Sequence, residues 1–127
     1  MPLVRISLPQ NTLPADLAAV STAVHNALVA TFNVPEPDCF QAIHKHSQNE
    51  LVCTPEFLGI QHSQHVVFVQ INCSYGRSLE MKKALYAKIA ADIAHTSSFK
   101  ADDVIINLLE TSRENWSFGL GVAQYAL

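Results

Sequence analysis

The sequence has no basic stripe. Eight Lys and Arg stand against 11 Asp and Glu, for a net charge of −3, so neither nucleic acid nor an anionic membrane surface is an expected partner. No apolar run approaches the roughly 18–20 residues that a membrane-spanning helix needs. Cysteine is scarce: Cys39, Cys53 and Cys73 are an odd set of three with no C-x-x-C pair, which argues against a disulfide framework. Dinucleotide-binding, P-loop and serine-hydrolase glycine motifs are all missing, so nucleotide cofactors and a serine elbow have no support. The opening Met1-Pro2-Leu3-Val4-Arg5 lacks the basic-then-apolar layout of a secretory signal. A cytoplasmic protein with reduced thiols is expected.

Apolar residues are what the chain does have, at 49% of 127 positions. That suits one domain over residues 1–127 with its own core. Leu3 to Leu8 alternates as a strand does. After Pro14, a residue tolerated in a first helical turn, Leu17, Val20, Val24, Leu28 and Phe32 recur at helical spacing. Pro35 and Pro37 end that helix. Phe40, Ala42 and Ile43 read as a short strand, Leu51-Val52 as the second arm of a hairpin turned near Asn49, and Thr54 to Gln64 as a loop. His65 to Cys73 is rich in β-branched and aromatic residues, and its unbroken Val66-Val67-Phe68-Val69 predicts burial on both faces.

Ser78 is a good N-cap for a second helix, with Leu85, Ile89 and Ile93 as its apolar stripe and an end near Thr96 to Ser98. Asp103 to Glu110 is a further strand, and the tail from Arg113 is irregular. The order predicts an α+β two-layer sandwich from two β-α-β units, a four-stranded sheet with both helices on one face. The uncovered face would be apolar, and self-association would cover it.

Pro2 is the residue that points to chemistry. Once Met1 is removed the chain starts with a secondary amine, and the strand begins at once, so the amine sits in a structured place. An α-amino group titrates near about 7.7–8.0, and apolar burial disfavours its cation. Such a group is a proton carrier at neutral pH.

Four segments occur in order along nearly the whole chain: Met1-Pro2-Leu3-Val4-Arg5-Ile6, Val34-Pro35-Glu36-Pro37-Asp38, Gly76-Arg77-Ser78 followed by Lys82 and Leu85-Tyr86, and Trp116-Ser117-Phe118-Gly119. In combination they resemble the tautomerase superfamily, closest to its malonate semialdehyde decarboxylase-like branch. The resemblance implies a cofactor-independent enzyme, a homotrimer, and a pocket for a small carboxylate around Pro2. By the same resemblance Arg77 binds the carboxylate, Asp38 orients water or hydrogen-bonds near the proline, and Trp116 and Phe118 form an apolar wall. Tyr75 and His46 join them as substrate-binding candidates, His46 because it is expected near Asp38.

In one respect the chain departs from that branch. The decarboxylase carries two arginines ahead of the second helix, and here Cys73-Ser74-Tyr75-Gly76-Arg77 supplies one. A lone guanidinium still grips a 2-keto carboxylate by two hydrogen bonds, which favours keto–enol proton transfer with Pro2 as general base. The alternative is decarboxylation or hydration of a three-carbon acid, with Pro2 as general acid. A non-enzymatic alternative is an oligomeric ligand-sensing module. The six histidines match no zinc spacing, so no metal is expected, and Cys73, ending an apolar strand, reads as a core filler.

Overall fold

The computed structural model describes residues 2–127; the expected removal of Met1 concerns a residue outside that range. Strand β1 (Leu3–Pro9) is followed by helix α1 (Pro14–Phe32) and strand β2 (Phe40–His46). A small hairpin follows, β3 (Glu56–Phe57) and β4 (Ile60–Gln61). Strand β5 (Val67–Ser74), helix α2 (Leu79–Thr96) and strand β6 (Val104–Thr111) complete the fold. The main sheet runs β2-β1-β5-β6, with β1 parallel to β2, β5 parallel to β6, and β1 antiparallel to β5. These are the two expected β-α-β units.

Each helix starts and stops for local reasons. Leu13 offers α1 no side-chain cap, but Pro14 has no N–H to leave unpaired, and Asp16 complements the dipole in the first turn. Asn33 closes the helix in the left-handed region (φ 55), its N–H bonding the Leu28 carbonyl. Ser78 caps α2 by accepting the Met81 N–H at 3.2 Å. The apolar stripes, Val20, Val24, Ala27 and Leu28 on α1 and Leu85, Ile89 and Ile93 on α2, pack on Val4, Ile6, Leu8, Val67, Val69 and Ile71.

Three expectations need correction. Burial in β5 alternates: Val67, Val69, Ile71 and Cys73 face the helices, while Phe68, Gln70 and Asn72 face the other way. With α1 and α2 on one side only, the second face of β5 stays uncovered within the chain. That open face is also not uniformly apolar. Arg5, Ser7, His44, Gln70 and Asn107 line its shallow hollow of about 560 Å³ alongside Phe68 and Ile105.

Leu51-Val52 forms no strand, and Val52 is 80% exposed. The expected first arm, β2, pairs instead in parallel with β1 through the α1 crossover, and its other edge takes no strand. The true hairpin lies in the expected loop, where Phe57 pairs with Ile60 across Leu58-Gly59. Both turn residues have positive φ (53 and 81), the geometry that matches strand twist and favours Asn-Gly. Leu58 at its first position hides the turn from a composition-based reading.

Ile89 is fully buried between the sheet and α1. Ile89→Ala is expected to cost about 2–5 kcal/mol through lost transfer energy and a residual cavity. Urea denaturation at fixed protein concentration should show a lower midpoint with an unchanged slope.

Candidate active site

Strand polarity decides where the candidate residues meet. Leu3 at the start of β1 pairs with Phe40 at the start of β2 and with Asn72 near the end of β5. The end of β5 in turn pairs with the end of β6, Ser74 opposite Thr111. Four segments distant in sequence therefore converge on one edge of the sheet. Pro2, immediately before β1, is buried there.

Asp38 reaches this edge through the proline turn. Its N–H bonds the Pro35 carbonyl at 2.9 Å, and the Cys39 N–H bonds the Pro37 carbonyl at 3.0 Å. His25 Nε2 hydrogen-bonds the Glu36 carbonyl at 2.7 Å and ties the turn to α1. Asp38 itself is half-buried.

Arg77 comes from the short turn between β5 and α2. Its Nη1 donates to the Ser74 carbonyl at 3.2 Å and its Nη2 to the Phe32 carbonyl at 3.4 Å. The guanidinium lies over the Phe32 ring, 5.1 Å from the centroid. No carboxylate pairs with Arg77 among the described residues. The neighbouring charges are already spent on each other, Lys82 Nζ meeting Glu110 Oε1 at 2.8 Å.

The aromatic wall folds back from the tail. Trp116 and Phe118 stack at 5.5 Å with rings 9° apart, and Phe118 meets Phe40 at 5.8 Å and the edge of Tyr125 at 5.1 Å. Trp116 Nε1 donates to Thr111 Oγ1 at 2.7 Å, and that hydroxyl donates to the Cys73 carbonyl at 3.2 Å. The wall is thus hung from the ends of β5 and β6. The Phe118 N–H donates to Gln124 Oε1 at 2.9 Å, and Gln124 Nε2 donates to the Gly119 carbonyl at 3.0 Å, which closes the tail into a turn.

Pro2, Asp38, Arg77, Trp116 and Phe118 therefore share one edge, with Tyr75 beside them, its side chain 66% exposed. His46 does not join them within the chain, contrary to its expected place near Asp38. It pairs with Pro9 at the far end of β2, six residues past Phe40, or roughly 20 Å at a strand's rise. There it lines a cleft of about 970 Å³ with Gln10, Cys53, His62 and His65, none of them part of the Pro2 edge. Periodicity assigned Phe32 to the core stripe and could not show that its ring and carbonyl also hold a cation. Thr111 and Tyr125 gave no signal at all, because their partners lie across the sheet end and the tail.

Burial raises the Cys73 thiol above its ordinary pKa; Arg77 and Lys82 pull it down, and Glu110 adds to the rise. A thiol held protonated is a poor nucleophile, which suits a core filler. Among the described residues no group of three or more His, Cys, Asp or Glu could hold a metal ion. Nor is any helix among them long and apolar enough to cross a membrane.

Similarity to known proteins covers this whole arrangement. The chain is 33% identical over 124 residues to the probable tautomerase YusQ of Bacillus subtilis (strain 168), covering 98% of each chain. A crystal structure of FG41 malonate semialdehyde decarboxylase inhibited by 3-bromopropiolate superposes with a TM-score of 0.90 at 33% identity, covering 97% of this chain and 93% of that one. A second malonate semialdehyde decarboxylase, described for its decarboxylase and hydratase activities, gives 0.89 at 31% identity over 97% and 95%. The tautomerase enzyme family matches residues 38–119 in one form and residues 2–60 in another. Together these stretches take in the proline edge, the arginine turn and the aromatic wall, and the chain belongs to the tautomerase family.

Proposed function

We propose that the protein is a cofactor-independent keto–enol tautomerase of small 2-keto acids, such as an aryl or alkenyl pyruvate. The observation that carries this reading is a half-buried Arg77, fixed by two carbonyls and an aromatic ring yet lacking a carboxylate partner among the described residues. A cation so arranged is ready for an external carboxylate. Two of its five N–H groups are committed to the protein, and three remain for a fork-like grip.

Pro2, once it is the amino terminus, is the general base. Its nitrogen lone pair takes a proton from the carbon next to the substrate carbonyl. That C–H electron pair becomes the carbon–carbon double bond of the enol, the carbonyl π pair moves onto oxygen, and the protonated Pro2 amine returns the proton to that oxygen. Ketonisation runs the same steps backwards. Burial of Pro2 and the aromatic wall favour the neutral amine, which needs no cofactor to act at neutral pH. Membership of an enzyme family sets aside the non-enzymatic sensing module.

A second reading is favoured by the likeness to the two decarboxylase structures and by Asp38 at the same edge. In it a protonated Pro2 serves as the acid, and Asp38 holds the water for decarboxylation or hydration of a three-carbon acid. The state of Pro2 separates the two. Asp38 keeps a role in either.

Family members form oligomers, and a homotrimer is the proposed state here. Phe57 and Leu58 on the hairpin and Leu120 and Leu127 in the tail are apolar and 60–99% exposed. A neighbouring copy covering them would lower that cost.

Pro2→Ala is expected to lower turnover of phenylenolpyruvate by about 10²-fold or more, the usual share of a positioned acid or base; near-normal rates would sink the mechanism. Arg77→Ala should raise KM for the same substrate by about 10- to 100-fold, the loss of a charge-assisted contact, and an unchanged KM removes Arg77 from the site. Rate against pH, measured for phenylenolpyruvate beside malonate semialdehyde, separates base from acid. Loss of rate as pH falls with the first substrate marks the base. Activity on the second alone, lost as pH rises, marks the acid.

A further inference from the structure

We infer that Phe32 is a positioning residue for the carboxylate clamp, its ring and its main-chain carbonyl together holding the Arg77 guanidinium at the Pro2 edge. The inference rests on the reading that Arg77 binds the substrate carboxylate. Phe32 is the last residue of α1 and only 2% exposed. A buried ring with no freedom to turn away offers its negative face to the cation at 5.1 Å.

The carbonyl contributes through its place in the helix. The last carbonyls of a helix lack intrahelical donors and carry the negative end of its dipole. At the end of α1 the N–H groups of both Asn33 and Val34 go to the Leu28 carbonyl. The Phe32 oxygen is thereby left to face Arg77 Nη2 at 3.4 Å. That bond is long, so the ring carries most of the hold. The Ser74 carbonyl, at 3.2 Å from Nη1, sets the second point.

Three contacts from α1 and β5 thus fix a side chain that would otherwise sweep many rotamers. Among the described residues no carboxylate competes for the remaining N–H groups. A guanidinium ordered beforehand binds a carboxylate more tightly than a mobile one, because less freedom is lost on binding. Removing the ring should therefore weaken substrate binding and leave the proton-transfer step alone.

The experiment compares steady-state constants for phenylenolpyruvate in wild type, Phe32→Leu, Arg77→Ala and the double variant. Phe32→Leu is expected to raise KM on the order of three- to tenfold with kcat within about twofold, and to add nothing in the Arg77→Ala background. If Phe32→Leu does not fold, Phe32→Met, an adaptable filler without a ring, takes its place. An unchanged KM in the Phe32 variant, or the same rise with Arg77 already gone, overturns the inference. Where Arg77→Ala raises KM and Phe32→Leu does not, only the positioning role falls. Where Arg77→Ala itself leaves KM unchanged, the carboxylate reading falls and the positioning role with it.

Discussion

The antiparallel pairing of β1 with β5 is the constraint on which the rest depends. Each of these strands carries its own parallel partner, supplied by its own helical crossover. Because the two units meet head to tail, the beginning of one lies beside the end of the other. The amino-terminal residue of the first unit is thereby set next to the helix-entry turn of the second, and Pro2 and Arg77 come to one edge. Parallel pairing at that seam would have sent them to opposite ends of the sheet, as it does for Leu3 and His46 along β1 and β2.

Packing beneath the sheet supports this edge as much as the pairing does. Phe32 ends α1 where Arg77 begins the approach to α2, so the contact that packs the helices also orders a cation. The Lys82–Glu110 pair lies in the same region. Cys73 beside them is buried, and that burial raises its thiol pKa, which suits a filler rather than a reactive group.

The likeness to malonate semialdehyde decarboxylases and the likeness to probable tautomerases show one scaffold. In the proposed mechanisms, desolvation around Pro2 is what separates a neutral base from a protonated acid. One cation rather than two leaves less stabilisation for the charge that builds during loss of carbon dioxide. That difference is the reason proton transfer is the first of the two proposed readings.

Periodicity and capping were enough to outline both helices and the four main strands, since those signals are local: Pro14, Pro35 and Ser78 act on residues close by in the chain. The motif segments carried the family and most of the edge residues. One-sided helices were expected, but the alternation within β5 was not legible, because Val66-Val67-Phe68-Val69 is apolar at every position whichever of its residues face the helices. His46 was misplaced because β2 runs on past Ile43, and an extended strand of seven residues carries it roughly 20 Å from the Asp38 end. Composition and spacing by themselves determined the elements and the kind of chemistry on offer. Only the tertiary structure decided which residues meet, because contacts across a sheet edge depend on register and polarity between strands about 35 to 70 residues apart, where local signals have no reach.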